Sequence, residues 1–142
     1  MWILVDTNVF LDLLLKREGC WETAREFFYN CIKTKSKIFV TAMSLRDIEY
    51  AVHRETHDAF LARKAVVDVY SLCTKVIDIS ASDAIESIYS DIKDFEDSLI
   101  IESAKSQMMN LIVTRNIKDY RNCSFPVMTP KEYNDIIRNL PN

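Results

Sequence analysis

An α/β fold, with a central parallel sheet of four to five strands and helices on both faces, is what the sequence predicts. Three observations carry it. Short apolar runs alternate with longer stretches of helical spacing, and that order builds a parallel sheet wrapped by helices. One glycine and three prolines in 142 residues, where average usage would put roughly 12%, leave few hairpin turns available. Residues with the chemistry of helix caps stand where the apolar runs give way to helical stretches. No repeat, low-complexity stretch or linker interrupts the pattern, and the length suits one domain over residues 1–142.

In chain order, the first strand is expected over residues 2–5, with Thr7 at the boundary that follows. A helix over 21–34 precedes a strand over 37–40, and helices over 43–54 and 58–73 lead to a third strand over 76–79. Ser80 and Ser82 stand at the start of a helix over 81–92, and a further helix over 95–109 leads to a strand over 111–114. A fifth strand over 126–128 is followed by Thr129-Pro130, an N-cap with proline at the first helical position. Leu11, Leu14, Leu15, Phe27 and Phe28 read as helix faces packed on the sheet.

Composition narrows the function. A single glycine, Gly19, cannot supply a Walker A loop or a dinucleotide-binding fingerprint, so a nucleotide cofactor bound in that way is excluded. No apolar run approaches the roughly 18 residues of a membrane span. The stretch from Met1 to Val5 lacks a basic region and meets Asp6 at once; the expectation is a cytoplasmic protein without membrane contact. Cys20, Cys31, Cys73 and Cys123 are widely spaced and read as reduced core residues. His53 and His57 lie four apart but do not form H-E-x-x-H, so zinc is not expected.

Chemistry is therefore sought at the carboxyl ends of the strands, where open parallel sheets bind ligands. Asp6 ends the first strand with Thr7 and Asn8 beside it, although an aspartate there can equally serve as a helix cap. Asp97 shares a helical stripe with Ile101, Ala104 and Met108, the pattern of a buried face, and a carboxylate there needs a cation or donors to compensate it. Asp94 stands one turn earlier. Asp47 and Glu49 flank a stripe of Leu45, Ile48, Ala51 and Val52, and periodicity does not choose between them. After the fourth expected strand come Arg115, Asn116, Lys118 and Asp119.

An acid cluster drawn from separate segments, with few histidines and no paired cysteines, offers oxygen ligands suited to Mg²⁺ or Mn²⁺. The formal charge is −3, and setting aside Asp6, Asp47, Asp94, Asp97 and Asp119 turns it into +2. With metal bound, such a surface can meet a phosphate backbone.

Four stretches in order, Leu4-Val5-Asp6-Thr7-Asn8-Val9, Ser44 to Ile48, Asp94-Phe95-Glu96-Asp97-Ser98-Leu99 and Val113 to Tyr120, resemble the PIN domain family. Its members are small metal-dependent ribonucleases, among them the VapC-like toxins of toxin-antitoxin pairs. The resemblance implies a three-layer sandwich in which Asp6 is the first-strand acid and Asp97 the acid of the D-x-L helix motif. Asp47 falls where the family usually has Glu, and Asp119, or Asn116 in the alternative position, completes the catalytic set. Mg²⁺ or Mn²⁺ would be held by Asp6 and Asp97 with Asp94 and Asp119. Thr7, Asn8, Ser98 and Thr114 would orient ligands or phosphate oxygens, and Arg115 would bind the RNA backbone. The implied reaction is hydrolysis of RNA phosphodiesters to a 3′-hydroxyl and a 5′-phosphate; the implied partners are an antitoxin protein and a second copy of the chain.

Two other readings compete. A phosphoacceptor receiver domain would use Asp6, Asp78, Thr114 and Lys131. A PIN-like scaffold that binds without cutting would keep the fold and lose the chemistry.

Overall fold

The first strand, β1 (Trp2–Val5), carries alternate apolar side chains to opposite faces of the sheet, and this alternation sets the layering of the whole molecule. A computed structural model describes residues 1–120 and 122–141. After β1 the chain forms α1 (Thr7–Leu14), α2 (Trp21–Lys33), β2 (Lys37–Thr41), α3 (Ala42–Thr56), α4 (Ala59–Leu72) and β3 (Lys75–Ile77). It continues through α5 (Ala81–Ile88), α6 (Phe95–Ser106), β4 (Leu111–Val113), a 3₁₀ turn (Ile117–Tyr120), β5 (Val127–Met128) and α7 (Pro130–Arg138).

All strand pairs are parallel, in the order β3-β2-β1-β4-β5. Ile3 lies opposite Ile38 on one side and Leu111 on the other. Ile3, Val5, Ile38, Val40, Leu111 and Val113 face a core built with α1, α2, α3, α4 and α7, where Phe10, Phe27 and Phe28 are buried. Leu4, Phe39, Ile77 and Ile112 face a smaller core capped by Ile100, Ile101 and Ala104 of α6. The result is the expected three-layer α/β sandwich.

Strand order decides against the receiver reading, whose sheet runs 2-1-3-4-5. Here the chain steps outward from β1 to β3, then returns to the other side of β1 for β4 and β5. The switch point falls between β1 and β4, so a ligand is expected at their carboxyl ends. Asp78 and Lys131 do not join Asp6 there: Asp78 is exposed beyond β3, and Lys131 Nζ pairs with Asp135 Oδ2 at 2.7 Å on α7.

Local chemistry explains most element boundaries. Thr41 caps α3 through the Ser44 amide, Asp58 caps α4 through the Phe60 and Leu61 amides, and Ser80 with Asp83 forms a capping box on α5. Thr129 and Glu132 form another on α7, with Pro130 at the first helical position. Two expected helices are shorter than periodicity suggested. α5 stops at Ile88 rather than 92, and α6 stops at Ser106 because Met108 turns left-handed at φ 53°. Met108 is consequently 79% exposed, and Met109 takes the buried position in its place. The four cysteines are free; Cys31 is buried in the core as expected, whereas Cys20, Cys73 and Cys123 are half-buried, and burial pushes the Cys31 and Cys73 thiols up to about 12, which disfavours the thiolate.

Candidate active site

Asp6 leaves β1 at the switch point, its amide donating to Val113 O at 2.9 Å. Its backbone is extended and its carboxylate caps α1, the cap role considered for it from sequence. Oδ1 accepts the Thr7 amide at 2.7 Å, while Oδ2 accepts Thr114 Oγ1 at 2.7 Å and Asn8 Nδ2 at 2.9 Å. Asn8 also donates to Thr114 Oγ1 and accepts the Arg115 amide through Oδ1. Asp6 is 8% exposed. Burial raises its pKa, the three donors oppose that rise, and the charge of Asp94 adds to it.

α6 delivers the second group of acids. Asp94 is its N-cap and accepts the Asp97 amide at 3.1 Å. Asp97, half-buried above Ile101 and Ala104, has its carboxyl pushed up to about 7, first by burial and then by the charges of Asp94 and Asp6. The stripe expected from periodicity therefore holds for Ile101 and Ala104 and fails for Met108, which lies past the helix end.

Tyr120, 3% exposed, approaches the Asp97 carboxyl closely enough for its phenol to favour the ionised form. Among the described residues Tyr120 Oη makes no hydrogen bond of ordinary length. An orphaned buried hydroxyl costs about 1–3 kcal/mol. Burial raises the Tyr120 pKa, and the charges of Asp6 and Asp97 raise it further, which keeps the phenol protonated.

Of the two acids weighed on α3, Asp47 is the one whose charge reaches Glu96. Burial raises the Glu96 pKa, followed by the charges of Asp47, Asp6 and Asp94, and Glu49 is not among these neighbours. Asp47 also meets the exposed Arg46 at 2.8 Å, a surface pair of small energetic weight. Asp119, in the 3₁₀ turn, accepts Asn116 Nδ2, and its charge contributes to the rise of Asp97. An open cavity of about 560 Å³ is lined by Asp94 and Asp119 with Lys93 and Lys118.

Other expected contributors are placed differently. Ser98 is fully buried and donates Oγ to Phe95 O at 2.8 Å within its own helix. Thr7 meets Asp6 through its backbone amide. Arg115 turns to a carboxylate that sequence reasoning passed over, with Nε 3.1 Å from Asp12 Oδ2; Arg17 approaches Asp12 Oδ1 at 3.5 Å. Glu96 and Tyr120 were also missed. Acids opening a helix are explained by its dipole, which concealed Glu96, and an aromatic after Asp119 reads as ordinary core.

The donor set suits a hard divalent cation: burial raises the pKa values of Asp6, Glu96 and Asp97, the charge of Asp94 adds to each rise, and these four carboxylates offer only oxygen ligands. Among the described residues, no Lys or Arg forms an ion pair with any of these four or with Asp119. Among the same residues, no three His, Cys, Asp or Glu side chains are already drawn close enough to hold an ion.

A family model described as the PIN domain matches residues 2–118. The chain belongs to the PIN domain family. No protein of curated function matches it in sequence. Among solved structures, it is similar to a VapBC2 complex of Rickettsia felis bound to a promoter DNA fragment, with a TM-score of 0.62, 18% identity, and coverage of 91% of this chain and 98% of that one. A toxin-antitoxin complex from Klebsiella pneumoniae gives a TM-score of 0.62, 23% identity, and coverage of 90% and 97%. The VapC20 toxin of Mycobacterium tuberculosis, described as cleaving the sarcin-ricin loop, gives 0.62, 15% identity, and coverage of 78% and 86%. At these identities the likeness to this PIN domain is one of fold.

Proposed function

We propose that this PIN domain protein acts as one domain over residues 1–142 and is a Mg²⁺- or Mn²⁺-dependent endoribonuclease, the toxin of a toxin-antitoxin pair. The observation that carries the reading is that Asp6 and Asp97, their pKa values raised by burial and by the charge of Asp94, have no Lys or Arg paired with them or with Asp94 among the described residues. Asp6 and Asp97, with Asp94 and Asp119, would hold the cation, which when bound neutralises charge on the scissile phosphate and lowers the pKa of a water.

The protein's own groups do the positioning. Thr114, Asn8 and the Thr7 amide fix both oxygens of Asp6, so little ordering is left for the moment of binding. Asp47 and Glu96 extend the anionic rim toward α3. Lys93 and Lys118 at the lip of the adjoining cavity attract a phosphate backbone that the acids alone would repel.

RNA as substrate and an antitoxin as partner are supported by the family and by the toxin and toxin-antitoxin assemblies that share the fold. A homodimer in the cytoplasm completes the proposal, and the exposed Phe60, Leu61, Val67 and Tyr70 of α4 offer apolar surface for such a contact. One observation favours the rival scaffold reading, namely that the described carboxylates are not yet gathered to ligating distance.

Incubation of total and transfer RNA with Mn²⁺ or Mg²⁺, beside Asp6→Asn and an EDTA control, tests the proposal. Cutting that requires both metal and Asp6 is expected. A folded protein that cuts nothing and whose melting ignores millimolar metal would be the scaffold.

A further inference from the structure

Tyr120 poses a question that packing does not answer. Its ring belongs to the smaller core with Ile101, Ala104 and Ile112, and a phenylalanine would fill that space equally well. Its hydroxyl is buried, makes no hydrogen bond of ordinary length among the described residues, and approaches the Asp97 carboxyl, with Asp6 and Glu96 contributing to the surrounding field. A polar atom held this way is a strained arrangement unless some state of the protein uses it. The acceptor adjoining it is the Asp97 carboxylate, which carries no ion pair among the described residues.

We propose that Tyr120 is a positioning residue whose hydroxyl donates to Asp97 and holds that carboxylate in its cation-binding orientation. The inference rests on the metal-dependent reading above. It assigns the 3₁₀ turn a part in the site beyond supplying Asp119: the turn that carries Asp119 to the rim also brings Tyr120 in behind Asp97. A phenol suits the task because it is a neutral donor. It orders an anion without cancelling the charge that a cation must meet, as a lysine or arginine would.

The test is Tyr120→Phe in the full chain, which removes one oxygen and keeps the ring. Mn²⁺ binding is measured by calorimetry without RNA, alongside the metal-free melting temperature and steady-state cleavage. The metal-free melting temperature should stay level or rise, since the lost hydroxyl made no hydrogen bond of ordinary length among the described residues. Mn²⁺ affinity should fall about tenfold, the order seen when groups behind a ligand are removed. In cleavage, kcat should fall at saturating metal with KM unchanged. Equal Mn²⁺ affinity in variant and wild type would overturn the role of Tyr120 and leave the metal site standing. A wild type that binds no Mn²⁺ would overturn both.

Discussion

The two ends of α1 present two buried aspartates that differ in one respect. Asp6 at its start is 8% exposed and Asp12 near its end is 2% exposed, and burial raises the pKa of each. Asp12 is answered by Arg115 and Arg17, whose charges oppose the rise. Asp6 is answered only by neutral donors, and the charge of Asp94, which acts on it, is negative. Desolvating a carboxylate is costly in either place. Where the chain supplies its own cation the group is part of the architecture; where it supplies donors but no cation, a positive ligand from outside would answer the charge, as the proposed function requires.

The widest separation between the two is expected in activity. Asp6→Asn should lower metal-dependent RNA cleavage by at least about a hundredfold and abolish the rise in melting temperature caused by Mn²⁺. Asp12→Asn should leave cleavage within a few-fold of wild type. Equal losses in parallel assays would erase the distinction.

Stability should respond in the opposite sense. Arg115→Ala leaves Asp12 buried with only the more distant Arg17, and urea unfolding should show a loss of about 2 kcal/mol after allowing for the exposure of the arginine. Asp6→Asn should cost the metal-free protein less, because an amide keeps the cap and relieves repulsion from Asp94. A variant lacking Arg115 that is as stable as wild type would show that the Asp12 pair is ornamental.

A smaller effect concerns pH. Burial, and then the charges of Asp94 and Asp6, push the Asp97 carboxyl up to about 7 from its ordinary 3.8. Between those values the folded state keeps a proton that the unfolded chain has released, so metal-free stability should fall as pH rises through this window. Asp97→Asn should flatten that slope, and urea midpoints at pH 5 and pH 7.5 measure it. An unaltered slope would place Asp97 in an ordinary environment. The smallest effect is expected on α3, where Asp47→Asn should reduce cleavage a few-fold and Glu49→Gln should leave it unchanged. The reverse order would show that α3 presents its other flank to the rim.

Much of the site was legible in sequence because its anchors end regular elements. Asp6 closes an apolar strand, Asp94 and Asp97 open a helix, and each position follows from spacing alone. Asp97's burial was legible over two turns and misread at the third, because a helix length cannot be read past the point where Met108 turns left-handed. The pairing of Asp12 was hidden, since Arg115 lies far along the chain and reaches it only because β1 and β4 are neighbours. Ser98 read as a site residue by proximity to Asp97, but adjacent helical positions point about 100° apart, and it turns inward.

The alternation of strands and helices, the caps and the clustering of acids at strand ends follow from interactions between residues a few positions apart. Backbone hydrogen bonds and apolar periodicity act at that range, and they are written in the order of the residues. Which acids share a field, which carboxylate receives a cation from the chain and which hydroxyl goes without a partner depend on residues such as Asp6 and Thr114, 108 positions apart. Those outcomes belonged to the packing, because desolvation and Coulomb interactions depend on distance in space and on how much water is excluded between the groups.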